Sequence, residues 1–189
     1  MVKTGLDHLP AAWPRALRGA RVGLVCHPAS VNTRFQHASD VLLRLKQARL
    51  AAFFGPQHGI RGETQANMIE WEGYRDRVTG LPVYSLYGEH RKPQLRMLEG
   101  LDALAVDLFD VGARYYTYIW TLYLCMESCR EAGKTVVVLD RPFSILTHLR
   151  DGGFLWEALR KIDDLIAEVD IFDYSWEKER YGVTDDPEN

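Results

Sequence analysis

Residues 103–139 read ALAVDLFDVGARYYTYIWTLYLCMESCREAGKTVVVL, and the change of apolar period along them decides the fold. ALAVD at 103–107 and TVVVL at 135–139 are short, nearly continuous apolar runs of strand length, bounded by polar residues. Between them, over 115–132, Ile119, Leu122, Met126 and Cys129 recur at threes and fours, and Gly133 supplies a helix stop. Working outward, RVGLVC at 21–26, LAAFF at 50–54 and PVYSL at 82–86 are three more buried-strand candidates. Val41, Leu42, Leu45 and Ala48 share one face of a helix predicted to start near Ser39 as N-cap. Strands that are apolar on both faces and alternate with helices predict an α/β fold, a parallel sheet covered by helices on both sides.

The chain has 189 residues, 47% hydrophobic and 26% charged, which excludes global disorder and predicts one domain or one domain with an appendage. Its 23 basic and 26 acidic residues leave a net charge of -3, too balanced for a nucleic-acid groove or a polybasic membrane patch. A small neutral or mildly charged ligand is expected instead. No apolar stretch approaches the roughly 18 residues of a membrane span, and the start MVKTGLDHLP has no basic segment followed by an apolar run, so a cytoplasmic chain is expected. Cys26, Cys125 and Cys129 are too few and odd in number for a disulfide framework. Cys125 and Cys129 share a helix face without a His or Cys partner pattern, and read as small buried apolar residues rather than metal ligands.

Residues 55–80 break the strand–helix pattern. They hold Gly55, Gly59, Gly62, Gly73 and Gly80 together with His58, Arg61, Glu63, Glu70, Glu72, Arg75 and Asp76. A loop leaving the carboxyl end of a strand is where open α/β sheets place ligands. Within FGPQHGIRGETQAN at 54–67, glycines permit positive φ and close backbone approach, while His58 and Arg61 can donate to hydroxyl, carboxylate or acetamido oxygens. The bland reading is an ordered connection whose glycines serve only turns. Neither GxxxxGK nor GxGxxG occurs, so no nucleotide cofactor is expected.

Asp107 and Asp110 follow the fourth strand, where a carboxylate could act on a ligand, cap the next helix or pair with Arg114. Tyr115, Tyr116, Tyr118 and Trp120 could stack on a sugar or simply pack a core. Asp140 and Arg141 end the last strand as ligand-binding residues or as a surface ion pair. His27 and His90 show no recognisable partner and read as ordinary polar residues.

GLDHL at 5–9, RVGLVCHPASVN at 21–32, FGPQHGIRGETQAN at 54–67, TGLPVYSLYGE at 79–89, GLDALAVDLFDVGARYYTYIWTL at 100–122 and VLDRP at 138–142 form a specific series. The series resembles the YbbC-like, NamZ-type exo-β-N-acetylmuramidase family over about residues 1–142. The resemblance implies a Rossmann-like amino-terminal domain, a second domain, and an active site in the cleft between them. Its implied partner is a muramic-acid-containing saccharide, with no metal and no nucleotide. Residues 143–189 are expected to be a polar tail, with an amphipathic helix over 154–169, unlike that second domain. Either this helix or a second copy of the chain would then cover the exposed half of the cleft.

The sequence departs from the family pattern at two motifs. Gln57 stands where the usual GPEHG has its leading catalytic glutamate, and Phe143 and Ser144 interrupt the usual DRPNP. An amide cannot transfer a proton as a carboxyl group does. With Gln57 neutral, the carboxylates at hand are Glu63, Glu70, Glu72, Asp107 and Asp110, and Glu63 is the expected general acid because it shares the glycine-rich loop with Gln57, His58 and Arg61. Arg61 would bind sugar or lactyl oxygens, Asp110 and Arg114 would shape the floor, and Tyr116 would stack on the sugar. The alternative is a non-catalytic sugar-binding or assembly module.

Overall fold

The structure is a computed structural model and describes residues 3–62, 70–109 and 117–141. Five apolar runs form strands: β1 (Arg21–Cys26), β2 (Arg49–Gly55), β4 (Pro82–Ser85), β5 (Ala103–Asp107) and β6 (Thr135–Val138). All pair in parallel, as the sequence predicts. An additional short strand, β3 (Tyr74–Arg75), lies antiparallel to β4. It was not expected within residues 55–80, since two exposed residues carry no period-2 signal. The spatial order is β3-β4-β2-β1-β5-β6. Setting β3 aside, the first strand is central and the succession runs outward on both sides of it, the order of a doubly wound Rossmann-like sheet.

Helices cover both faces. On one side α1 (Gly5–Ala12) and α2 (Ala38–Leu43) bring Leu6, Leu9 and Leu42 against Val22, Leu24, Phe53, Ala105 and Val137. On the other, α3 (Leu95–Leu98) and α4 (Tyr118–Ala132) bring Leu98, Ile119, Cys125 and Met126 against Val25, Phe54, Leu104, Val106 and Val136. Alternation along each strand separates the two cores. Gly23 has no side chain because a Cβ there would lie 2.8 Å from both Leu104 and Phe54.

Helix ends follow local chemistry. Gly133 closes α4 at φ 63°, with the Lys134 N–H reaching the Cys129 carbonyl at 2.8 Å. The N-cap of α2 is His37 rather than Ser39, because the His37 ring accepts the Ser39 N–H at 3.3 Å. The α1 capping box, Thr4 with Asp7, has a further consequence: Asp7 Oδ1 also accepts the Thr33 hydroxyl at 2.7 Å. Burial pushes the Asp7 carboxyl up, but the hydrogen bonds from Thr4 and Thr33 outweigh it and hold it below its ordinary range. Cys26, Cys125 and Cys129 are buried and form no disulfide, and burial pushes the Cys129 thiol up to about 12. None of the described helices is long and apolar enough to cross a membrane. The tail boundary at 142 and the 154–169 helix lie outside the described residues.

Candidate functional site

The strand order reverses between β1 and β5, and Cys26 pairs with Asp107, so both strands end level at one crevice. In this fold class that crevice is where ligands bind. Here the chain's own side chains occupy it. Asp107 is fully buried and takes a two-pronged contact from Arg141, Nε to Oδ1 at 2.6 Å and Nη2 to Oδ2 at 2.8 Å. The third guanidinium nitrogen donates to the Val31 carbonyl at 2.9 Å. Burial pushes the Asp107 carboxyl up, against the pull of Arg141.

The loop after β1 completes this cluster. The Ser30 hydroxyl accepts the His27 N–H at 3.0 Å and donates to the Asp107 carbonyl. His37 Nε2 donates to the His27 carbonyl at 3.0 Å. The His27 ring lies 4.7 Å from the Tyr118 ring, and its Nε2 accepts the Phe109 N–H at 2.9 Å. Burial first, and then the positive fields of Arg141 and His37, lower its pKa to about 4. Beyond it, residues 31–37 form a pinned turn that presents Phe35 at φ 59° and 88% exposure.

The second feature of this edge is the loop after β2. A turn closes from the Gly59 N–H to the Pro56 carbonyl at 3.0 Å, and Ile60 anchors it in the core. His58 and Gly59 both take positive φ, 72° and 73°. Strain of that kind at a non-glycine residue costs about 1–2 kcal/mol and gathers at functional sites. Gln57 and His58 are half-buried. Arg61 is 40% exposed and is oriented by Asp76 at 3.5 Å. Asp76 is itself buried and accepts the Thr79 N–H and hydroxyl at 2.9 and 2.7 Å. Although burial raises the Asp76 pKa, the Thr79 bonds and Arg61 bring it below its ordinary value. Gly62, at φ 81°, stands where a Cβ would lie 3.5 Å from Pro28, so the loops after β1 and β2 adjoin. The arrangement offers an amide, an imidazole and an anchored guanidinium on one turn, suited to binding a polar, oxygen-rich ligand.

Of the predicted site residues, the structure brings Gln57, His58 and Arg61 together on that turn. Glu63, Asp110, Arg114 and Tyr116 lie outside the described residues, so their distances to the turn are not part of this geometry. Three expectations are corrected. Asp107 pairs with Arg141 and is sealed from any ligand. Arg141 is accordingly a buried partner, neither ligand-binding nor part of a surface pair with Asp140. His27 and His90 both have partners, His90 through Gln94 at 2.6 Å. Sequence reasoning also missed Trp71, whose indole lies across the end of β2, where a Cβ on Gly55 would come within 2.8 Å of it. Its signal was the lone tryptophan inside the glycine-rich stretch. Among the described residues no group of three or more His, Cys, Asp or Glu side chains could hold a metal ion.

A family model described as exo-β-N-acetylmuramidase NamZ, N-terminal, matches residues 22–166, which takes in both loops of the edge and extends past residue 142. Peptidoglycan β-N-acetylmuramidase NamZ of Bacillus subtilis (strain 168) is 46% identical over 141 residues, 75% of this chain and 34% of the relative. Two crystal structures of DUF1343 family proteins from Bacteroides fragilis NCTC 9343 are also similar. One has a TM-score of 0.66 and 42% identity over 76% of this chain and 35% of that one. The other has 0.58 and 31%, over 74% and 35%. The chain thus spans about a third of the length of these relatives. With the family match running through the whole described sheet from β1 to β6, the chain belongs to the NamZ amino-terminal domain family.

Proposed function

We propose that this chain forms one wall of the saccharide site of an exo-β-N-acetylmuramidase, which releases terminal N-acetylmuramic acid from peptidoglycan fragments. The observation that carries the reading is the family match over residues 22–166, because it includes the strained, polar turn that follows β2 at the carboxyl edge. His58 and Arg61 donate to hydroxyl and lactyl carboxylate oxygens, and Gln57 hydrogen-bonds the acetamido group. Glu63 serves as general acid, Asp110 and Arg114 shape the floor, and Tyr116 stacks on the sugar. No metal or nucleotide enters this scheme.

Glycoside hydrolysis commonly needs two carboxyl groups and a cleft that positions the sugar between them. Gln57 supplies none, so the 189-residue chain is expected to bind the saccharide with weak turnover. The test is incubation with a chromogenic N-acetylmuramic acid glycoside, alongside calorimetric titration with N-acetylmuramic acid. Turnover of about 1 per second or faster overturns the expectation of weak activity. Absence of binding sinks the saccharide reading. Loss of residual turnover in Glu63→Gln assigns the acid, whereas an unaffected variant moves the search to Glu70 or Asp110. Binding without any turnover favours the sugar-binding module, the reading to which the amide at Gln57 points.

A further inference from the structure

His27 is 5% exposed, and three elements meet on it. Its backbone follows directly on β1, its Nε2 faces the Phe109 N–H just past β5 at 2.9 Å, and its ring lies 4.7 Å from that of Tyr118, the first residue of α4. The Ala29 N–H approaches Nδ1 as well, at 3.3 Å. A neutral imidazole has one in-plane lone pair and accepts from only one of two amides. The shorter contact assigns that lone pair to Nε2 and the proton to Nδ1. A second proton would set an N–H against the Phe109 N–H.

The surroundings oppose that proton from each neighbouring element. Arg141 at the exit of β6 carries a fixed positive charge, and a proton on His37, at the N-cap of α2, would add to it. The Asp107 carboxylate on β5, which could have compensated, is engaged by both prongs of Arg141.

We propose that His27 is a positioning residue of the carboxyl edge, a neutral Nδ1–H imidazole whose Nε2 lone pair and ring face hold the exit of β5 to the start of α4. This part of the edge is assembled only while His27 is unprotonated. The saccharide arm of the test rests on the function proposed above; the spectroscopic arms do not.

The experiment uses the full 189-residue chain labelled with nitrogen-15, with long-range proton–nitrogen spectra of the histidines from about pH 8 to pH 3.5. His27 is expected as the Nδ1–H tautomer at neutral pH with a midpoint near 4, and protection of the Phe109 amide from exchange should fall with that titration. His27→Gln keeps an acceptor near the Nε2 position and should keep Phe109 protected without the pH dependence. His27→Phe keeps a ring face but no acceptor, and should lower that protection about tenfold or more at neutral pH, the size of one lost hydrogen bond. An Nε2–H tautomer, a midpoint near the ordinary 6.5, or equal Phe109 protection in wild type and His27→Phe overturns the proposal. Should His27→Phe fail to fold, the wild-type titration and His27→Gln decide. Titration with N-acetylmuramic acid should weaken as His27 gains its proton in wild type and not in His27→Gln. If wild type binds none at any pH, the saccharide reading fails, and the tautomer and exchange results still judge His27.

Discussion

Two neighbouring parts of the same sheet edge are built on opposite terms. The crevice between β1 and β5 is filled by His27, Ser30, Asp107 and Arg141, each buried and each hydrogen-bonded. The turn after β2 instead leaves Arg61 at 40% exposure and His58 half-buried in strained backbone. Both contain a carboxylate–guanidinium pair, yet only one pair keeps its cation at the surface. Asp107–Arg141 joins the exits of β5 and β6 to the loop after β1, whereas Asp76 is secured by Thr79 and merely orients Arg61. The position where this fold class usually takes its ligand is structural here, and the partly exposed polar groups of the edge lie one strand outward.

The sharpest way to break this contrast is Arg141→Met, which leaves Asp107 buried without its partner. A loss of about 3–5 kcal/mol is expected in urea unfolding, and Asp107→Leu combined with Arg141→Met should restore most of it. A single-variant loss below about 1 kcal/mol would show the pair to be no more than a surface contact.

Next in size is the pH dependence from His27. Its folded pKa of about 4 lies below the ordinary 6.5, so below pH 6.5 the unfolded chain binds a proton that the folded chain does not. The associated stability is fully present above pH 6.5 and is lost as pH falls toward 4, amounting to about 3 kcal/mol at roughly 1.4 kcal/mol per pH unit. Urea unfolding at several pH values should show a steeper fall in wild type than in His27→Gln. Parallel curves would remove His27 from the account.

On the open side of the comparison, effects on stability should be smaller. Gly62→Ala places a side chain at φ 81° and should cost about 1 kcal/mol, since Pro28 leaves ordinary contact distance and only the backbone is strained. Arg61→Ala should cost less than about 1 kcal/mol, because a half-exposed ion pair contributes little. The same substitution should weaken N-acetylmuramic acid binding by about tenfold, the loss of one charge-assisted hydrogen bond. A large stability loss with unchanged binding would make Arg61 structural, like Arg141.

The parallel strands and the end of α4 were legible in residues 103–139 and their counterparts because burial on both faces demands unbroken apolar runs. The Gln57–His58–Arg61 turn was legible for a related reason, since glycines and polar groups interrupt those runs. The roles of Asp107, Arg141 and His27 were not. Asp107 and Arg141 are 34 residues apart and His27 and Phe109 are 82 apart, and no local pattern encodes such a pairing. A carboxylate at a strand end looks the same in sequence whether it faces ligand or guanidinium. Sequence by itself determined the five parallel strands, their two-sided burial and the family, because these follow from local periodicity and motif order. Only the tertiary structure decided which polar groups the strand order brings together and buries, because that depends on which strand ends are level.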